Sequence, residues 1–209
     1  MSLAQPIFTN CLDYNTAVHE MAKNIGWDFA SINGMVLDEN QEPMPWYNYS
    51  MVAFLKEKLR SDMEIFEFGS GFSTLFYAKH CKCVTSVEIS QDCKLWVENS
   101  GQTLGLQNFQ VHQVQSHTMA GSIENFAQKF DIIVVDSADR LTCSKNSISH
   151  LKPNGVVIFD NSEREKYAII YDIMQGSGFK FLNFTGIKPL STTISRTTIF
   201  YQENNVFGI

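Results

Sequence analysis

The sequence predicts an α/β protein with a doubly wound, mainly parallel sheet of seven strands, an antiparallel last strand, helices on both faces and an N-terminal helical extension. After residue 60, short apolar runs alternate with helical stretches, which is typical of βα units. Two of these runs, at 131–136 and 155–160, are apolar almost throughout, as strands buried on both faces must be. The last two β-rich runs have no helix between them, so we expect them to pair antiparallel.

Length and composition limit the classes of protein that fit. The 209 residues suffice for one sizeable domain, or for one domain with a short appendage. Hydrophobic residues make up 44% and charged residues 18%, so the chain can bury a core and does not have the composition of a disordered protein. The net charge is −6 and no basic run occurs, which argues against a nucleic-acid partner.

The sequence also indicates a compartment. No stretch reaches the ~18 consecutive apolar residues of a membrane span, and the start lacks the pattern of a signal peptide. We therefore expect a cytoplasmic protein without a membrane partner. The five cysteines are irregularly spaced, which favours free thiols over a zinc site. The sequence leaves a homo-oligomer open.

The N-terminal part, residues 1–49, is expected to form a helical extension and lid over the main domain of residues 50–209. Apolar residues at helical spacing predict an amphipathic helix over 12–25, which Gly26 ends. The stretch 31–49 loses this periodicity and is predicted to be an ordered loop. Its aromatic residues could cap a site or pack against the sheet; they are Trp46, Tyr47 and Tyr49.

The main domain is predicted to begin with a helix over 50–59. The strands are expected near 64–68, 83–88, 109–114, 131–136, 155–160, 179–185 and 197–202. Helical spacing also predicts a helix that ends at Gly176, and Ser162 and Glu165 have the spacing of a capping box at its start.

The turn after the first strand reads Glu67-Phe68-Gly69-Ser70-Gly71-Phe72-Ser73-Thr74 and opens a helix. Glycines let the backbone approach a ligand closely, and a helix N-terminus offers free N–H groups to an anion. A dinucleotide fingerprint would have a third glycine where this chain has Thr74. The alternative is a plain strand–helix turn with Ser73 as its N-cap.

Acidic residues end four of the predicted strands, at Glu67, Glu88, Asp136 and Asp160. Glu88 has the position from which a doubly wound sheet offers a carboxylate to the two ribose hydroxyls of a nucleotide, although it could also cap the next helix. In the common strand order these four residues line one crevice. Such a cluster is costly unless a cation, a metal or a set of donors satisfies it, so the crevice should hold something positive.

These motifs, in their order and spacing over about residues 50–202, resemble those of class I S-adenosylmethionine-dependent methyltransferases. The resemblance implies a Rossmann-like fold, S-adenosylmethionine as cofactor and methyl transfer as the activity. It implies that the two glycines pass under the methionine portion, that Glu88 holds the ribose and that Asp136 lies near the transferred methyl. The expected cofactor-binding residues are Glu67, Gly69, Ser70, Gly71, Ser73, Thr74, Glu88 and Asp136.

The acceptor is expected to be an oxygen or nitrogen of a small molecule, because the segment from Asp136 to Asp139 lacks the tetrad of methyltransferases that act on nucleobases. The candidates for accepting its proton are Asp136, Asp139 and His117. Two other functions stay open, a non-catalytic adenosine-cofactor-binding protein and a nicotinamide-dependent oxidoreductase.

A metal is the remaining alternative. Asp136, Asp160 and Asn161 are similar to the trio that holds Mg²⁺ in catechol-type O-methyltransferases, and three oxygen ligands suit a hard cation. That family has a longer glycine turn, and it has a lysine where this chain has Asp139. We therefore favour catalysis without a metal over catalysis with Mg²⁺.

Overall fold

The computed structural model describes residues 13–209. The strands are β1 Glu64–Phe68, β2 Cys83–Glu88, β3 Phe109–Gln113, β4 Phe130–Val135, β5 Leu151–Asp160, β6 Lys180–Ile187 and β7 Ile194–Tyr201. They form one sheet in the order β3-β2-β1-β4-β5-β7-β6. The first five strands pair in parallel, and β7 runs antiparallel to both of its neighbours. The predicted fold class and the closing hairpin are confirmed.

Seven α-helices accompany the sheet in the described part of the chain. They are α1 Tyr14–Asn24, α2 Trp27–Asn33, α3 Tyr49–Lys58, α4 Phe72–His80, α5 Gln91–Thr103, α6 Arg140–His150 and α7 Ala168–Gly176. None of the helices within residues 13–209 has the length and apolar character needed to cross a bilayer.

The two faces of the sheet carry two separate cores. Ile132 and Val134 of β4 face a cluster that includes buried residues of α3 and α4, whereas Ile133 and Val135 face a cluster that includes residues of α6 and α7. All six residues of β4 are buried. Burial on both sides is why this strand lacks the alternation of polar and apolar residues seen in half-exposed strands.

The N-terminal part differs from the prediction in one element. The loop predicted over 31–49 is partly helical, because Ser31–Asn33 belong to α2, which follows Gly26 directly. This helix has only seven residues between two glycines with positive φ, Gly26 at 75° and Gly34 at 64°, so it is too short to show a periodicity. From residue 34 to Asn48 the chain is non-helical, with one antiparallel bridge between Leu37 and Pro43.

Two further expectations need correction. The apolar stripe that predicts α1 is not buried: none of the residues of this helix is buried, and Tyr14 is 81% exposed. Residue 12 of that predicted helix lies outside the described residues. The capping box predicted for α7 is wrong, because a 3₁₀ turn at Glu165–Tyr167 precedes the helix and Ser162 is held by β7, where it donates to the carbonyl of Arg196 at 3.2 Å.

Candidate functional site

The strand order places the carboxyl ends of β2, β1, β4 and β5 side by side. Glu88, Glu67, Asp136 and Asp160 lie at or next to these ends, so the sheet brings the four predicted carboxylates to one edge, which we call the crevice. Ligands of doubly wound sheets bind at this edge, where the strand order reverses around β1. The crevice is therefore the candidate site.

The two glycines of the turn after β1 differ in their backbone conformation and in the space around them. Gly69 has a φ of 102°, and the carbonyl oxygen of Asp136 leaves no room for a Cβ atom there. The fold itself therefore requires Gly69. Gly71 has an extended φ of 163°, and a Cβ atom built on it would meet no atom within 4 Å. Nothing in the protein requires a glycine at Gly71, so the missing side chain leaves open space at the start of α4.

Gly71 is also the N-cap residue of α4, which begins at Phe72. The alternative that Ser73 caps this helix is therefore wrong. The hydroxyl of Thr74 accepts from the N–H of Gly71 at 3.1 Å and donates to Oε2 of Glu67 at 2.7 Å. Thr74 thus braces the turn from within at the position where a dinucleotide fingerprint has its third glycine.

Glu67 lies beneath this turn and is 1% exposed. Its Oε2 accepts from the hydroxyls of Thr74 and, at 2.8 Å, Ser86. Burial raises the pKa of Glu67 to about 7, against the opposing effect of the hydroxyl donors. Glu67 therefore supports the turn through hydrogen bonds, and Ser86 joins it as a supporting residue that the sequence pattern did not single out.

Glu88 is held by four donors from two loops. Its Oε2 accepts from the N–H and the hydroxyl of Ser70, both at 3.0 Å. Its Oε1 accepts from the N–H groups of Ile89 and Ser90, both at 2.8 Å. These bonds fix the carboxylate at the edge of the crevice and tie the loop after β2 to the turn after β1. The cap of the next helix, α5, is Ser90 and not Glu88.

Arg140 supplies a positive charge at the other end of the crevice. Its Nη2 contacts Oδ1 of Asp136 in a short ion pair and donates to Oδ1 of Asn161 at 3.2 Å. The sequence pattern did not single out Arg140 as a site residue. The available signal was its spacing, four residues after an aspartate at a strand end.

Asp160 is nearly fully buried at the end of β5. Its Oδ1 accepts from the hydroxyl of Thr197 at 2.7 Å. Burial, followed by the charge of Asp136, raises the pKa of Asp160 to about 7. Thr197 also lies 3.4 Å from the side-chain nitrogen of Asn48, so a hydrogen-bonded chain leads from the crevice to the N-terminal part.

The residues do not fit a divalent metal ion. A metal at Asp136, Asp160 and Asn161 needs oxygen atoms that converge on an open position. The guanidinium of Arg140 lies against two of these three residues instead. Within residues 13–209, no group of three or more histidine, cysteine, aspartate or glutamate side chains is arranged to hold a metal ion.

The aromatic cluster of the N-terminal part packs against other elements of the domain. Tyr47 is buried and accepts from the hydroxyl of Tyr77 at 3.4 Å. Burial, followed by the neighbouring Tyr77, raises the pKa of Tyr47 well above its ordinary value. Trp46 is half exposed, and its indole N–H donates to the carbonyl of Pro189 at 2.6 Å. The segment thus packs on the sheet and contacts the loop between β6 and β7.

Of the other two predicted proton acceptors, one caps a helix and one lies on a separate surface turn. Asp139 is the N-cap residue of α6 and accepts from the N–H of Thr142 at 3.2 Å. His117 is exposed on a 3₁₀ turn after β3, where it lines a surface cavity of about 300 Å³ together with Val114 and Asn125. None of the crevice carboxylates lines that cavity. Asp136 is the candidate that the structure brings together with the rest of the crevice.

No protein-family model matches the sequence, and no curated protein matches it. Solved structures do match the architecture described above. An O-methyltransferase candidate from Klebsiella pneumoniae superposes with a TM-score of 0.64 at 14% identity, covering 90% of this chain and 96% of its own. The chain has the Rossmann-like methyltransferase fold.

Other structures share this methyltransferase fold. An rRNA methylase from Streptococcus thermophilus gives a TM-score of 0.60 at 13% identity and covers 74% of this chain and 96% of its own. A methyltransferase candidate from Streptococcus mutans, solved in complex with SAH, gives a TM-score of 0.54 at 15% identity. It covers 71% of this chain and 94% of its own. At these identities the likeness concerns the fold.

Proposed function

We propose that this protein is an S-adenosylmethionine-dependent methyltransferase that transfers a methyl group to an oxygen or nitrogen of a small molecule. The observation that carries the proposal is the open space over Gly71, at the N-terminus of α4 and beside the carboxylate of Glu88. The Streptococcus mutans neighbour with this fold was solved with SAH, the demethylated form of this cofactor.

The residues fit the cofactor part by part. The N-terminus of α4 and the turn Gly69–Gly71 suit its carboxylate, and the open space over Gly71 suits close approach of the methionine portion. Glu88 suits the ribose diol, once one of its four present donors gives way. Asp136, whose carboxylate is partly exposed, suits the sulfonium cation. The predicted residues Ser73 and Thr74 contribute through the first turn of α4.

When bound, the cofactor supplies a methyl group on a good leaving group, so the main task of this chain is to align the acceptor. A hydroxyl or amine acceptor must also lose a proton. Asp136 is the strongest candidate for taking it, because its side chain is 40% exposed at the end of β4. Asp139 and His117 remain weaker candidates, given their positions as a helix cap and on a separate surface turn.

A small molecule is favoured as the acceptor, although one neighbour is an rRNA methylase. The net charge is −6, and no basic run offers the phosphate contacts that RNA binding requires. The N-terminal part, residues 1–49, would act as the lid on the domain of residues 50–209. The lid role is supported by the contact of Trp46 with Pro189 in the loop between β6 and β7, and by the contact of Asn48 with Thr197, which donates to Asp160.

The experiment is incubation of the purified protein with metabolite extracts and isotope-labelled S-adenosylmethionine, followed by mass spectrometry. A compound that gains the labelled methyl supports the proposal and identifies the acceptor. An Asp136→Asn variant is the control, and the labelled product should fall strongly with it. If the protein binds the cofactor but no extract from several sources gives a labelled product, a non-catalytic cofactor-binding protein becomes the better account.

A further inference from the structure

Two of the three residues that would ligate a metal, Asp136 and Asn161, are already engaged by cations of the chain itself. Oδ1 of Asn161 accepts from Nη2 of Arg140 at 3.2 Å and from Nη2 of Arg164 at 3.0 Å. The same Nη2 of Arg140 contacts Oδ1 of Asp136. One guanidinium therefore bridges the residues that follow β4 and β5.

Arg140 is a fixed part of this end of the crevice and not a mobile surface side chain. Its side chain is 9% exposed, and its Nη1 donates to the carbonyl of Ser137 at 2.7 Å. The guanidinium carbon lies 5.8 Å from the centre of the Tyr167 ring. Its Nε is buried without a hydrogen-bond partner among residues 13–209. Its Nη2 is the atom that contacts the oxygens of Asp136 and Asn161.

We propose that the guanidinium of Arg140 is the resident cation of the crevice and takes the place between Asp136 and Asn161 that a divalent metal ion would need. The charge of a guanidinium is permanent, and its planar fork suits oxygen acceptors, so it does not need to be loaded from solution. Asn161 has a φ of 56°, which is strained for a residue other than glycine, and its contacts with the two arginines stabilise it there.

Arg140 is then a positioning residue, because it holds the carboxylate of Asp136 at the end of β4. That this carboxylate meets the methyl acceptor rests on the proposed function. The replacement of a metal by Arg140 does not, since it concerns only the geometry of this chain.

The test measures Mn²⁺ binding to the cofactor-free protein. Electron paramagnetic resonance reports the concentration of the free ion. The wild type should show no specific binding. Arg140→Ala should gain a site at least about tenfold tighter than any nonspecific Mn²⁺ binding by the wild type, because Asp136 and Asn161 then lose the guanidinium that lies between them. Arg140→Lys should not gain it, because it retains a cation. Arg164→Ala is the matched control, since Arg164 contacts Asn161 but forms no ion pair with Asp136 in the described residues.

Arg140→Gln keeps much of the side-chain length without the charge, and it serves if Arg140→Ala does not fold by circular dichroism. Mn²⁺ binding by the wild type that is lost in Asp136→Asn would overturn the proposal. A folded Arg140→Ala or Arg140→Gln protein that gains no Mn²⁺ site would also overturn it. Because neither cofactor nor acceptor is present, these results do not depend on whether the protein transfers methyl groups.

Discussion

The hydroxyl of Ser70 donates at 3.0 Å to Oε2 of Glu88, the carboxylate that the proposed function assigns to the ribose. Both oxygens of Glu88 already accept two hydrogen bonds, which is the full capacity of a carboxylate. A ribose diol can therefore bind only if a donor leaves. The Ser70 hydroxyl is the one donor of the four that can leave by a simple side-chain rotation.

Ser70→Ala should consequently strengthen binding of S-adenosylhomocysteine by about two- to fivefold, the equivalent of ~0.5–1 kcal/mol for a competing hydrogen bond that is removed. Glu88→Gln should weaken it by about tenfold to a hundredfold, because charge-assisted hydrogen bonds are lost. Calorimetry measures both. If Ser70→Ala weakens binding as much as Glu88→Gln does, the hydroxyl contacts the ligand itself and the displacement idea is wrong.

The two glycines of the turn should respond differently to the same substitution. Gly71→Ala should leave the melting temperature nearly unchanged, because the new methyl meets no protein atom within 4 Å. It should weaken the binding of S-adenosylhomocysteine by about tenfold or more. Gly69→Ala should lower the free energy of unfolding by roughly 2 kcal/mol or more, because of its positive φ and the carbonyl of Asp136. Equal affinity of Gly71→Ala and the wild type would show that the space over Gly71 is not used by the ligand.

The stability of the protein should depend on pH through Glu67. Its pKa is about 7 in the folded protein against an ordinary value of 4.5, so the folded state binds the proton more tightly than the unfolded state does. The contribution of Glu67 to the free energy of unfolding is therefore fully present below about pH 4.5 and is lost as the pH rises through about 7. Asp160 acts in the same direction, because burial also raises its pKa to about 7.

Urea denaturation at pH 5 and pH 8 tests this prediction. The free energy of unfolding of the wild type should be lower at pH 8. Glu67→Gln should reduce the difference between the two pH values by roughly 2 kcal/mol, because a neutral amide can still accept from Thr74 and Ser86 without titrating. The same difference in Glu67→Gln as in the wild type would mean that Glu67 does not carry the proton.

The loop between β6 and β7 should be held by Trp46. Trp46→Phe removes the indole N–H that donates to Pro189, and hydrogen exchange of the amides of residues 188 and 190–193 should rise about fivefold, as for the loss of ~1 kcal/mol. Trp96→Phe is the control, because this tryptophan packs against Phe72 at the start of α4. Similar exchange of the loop in both variants would count against the anchoring role.

The elements of the sheet could be predicted from sequence because the physical cause is local. The apolar run of β4 and the acidic residue after it are enough to place a buried strand and one wall of the crevice. The sheet order then follows from a common topology, which is why Glu67, Glu88 and Asp160 were expected beside it.

The contacts of the site could not be predicted in this way. The bond between Ser70 and Glu88 joins the turn after β1 to the last residue of β2, eighteen residues away, and the one between Arg140 and Asn161 joins residues twenty-one apart. Whether a charge near a strand end faces solvent, a ligand or another side chain depends on these tertiary contacts. The exposed apolar stripe of α1 shows the same limit, because periodicity predicts a helix but not what covers it.

The most direct test of the central claim is calorimetric titration of the unmodified protein with S-adenosylhomocysteine and, separately, with NADH. We expect saturable binding of S-adenosylhomocysteine at one site per chain, with no measurable heat of binding for NADH. Absence of S-adenosylhomocysteine binding by the folded protein, or tighter binding of NADH, would contradict the assignment of the crevice to S-adenosylmethionine.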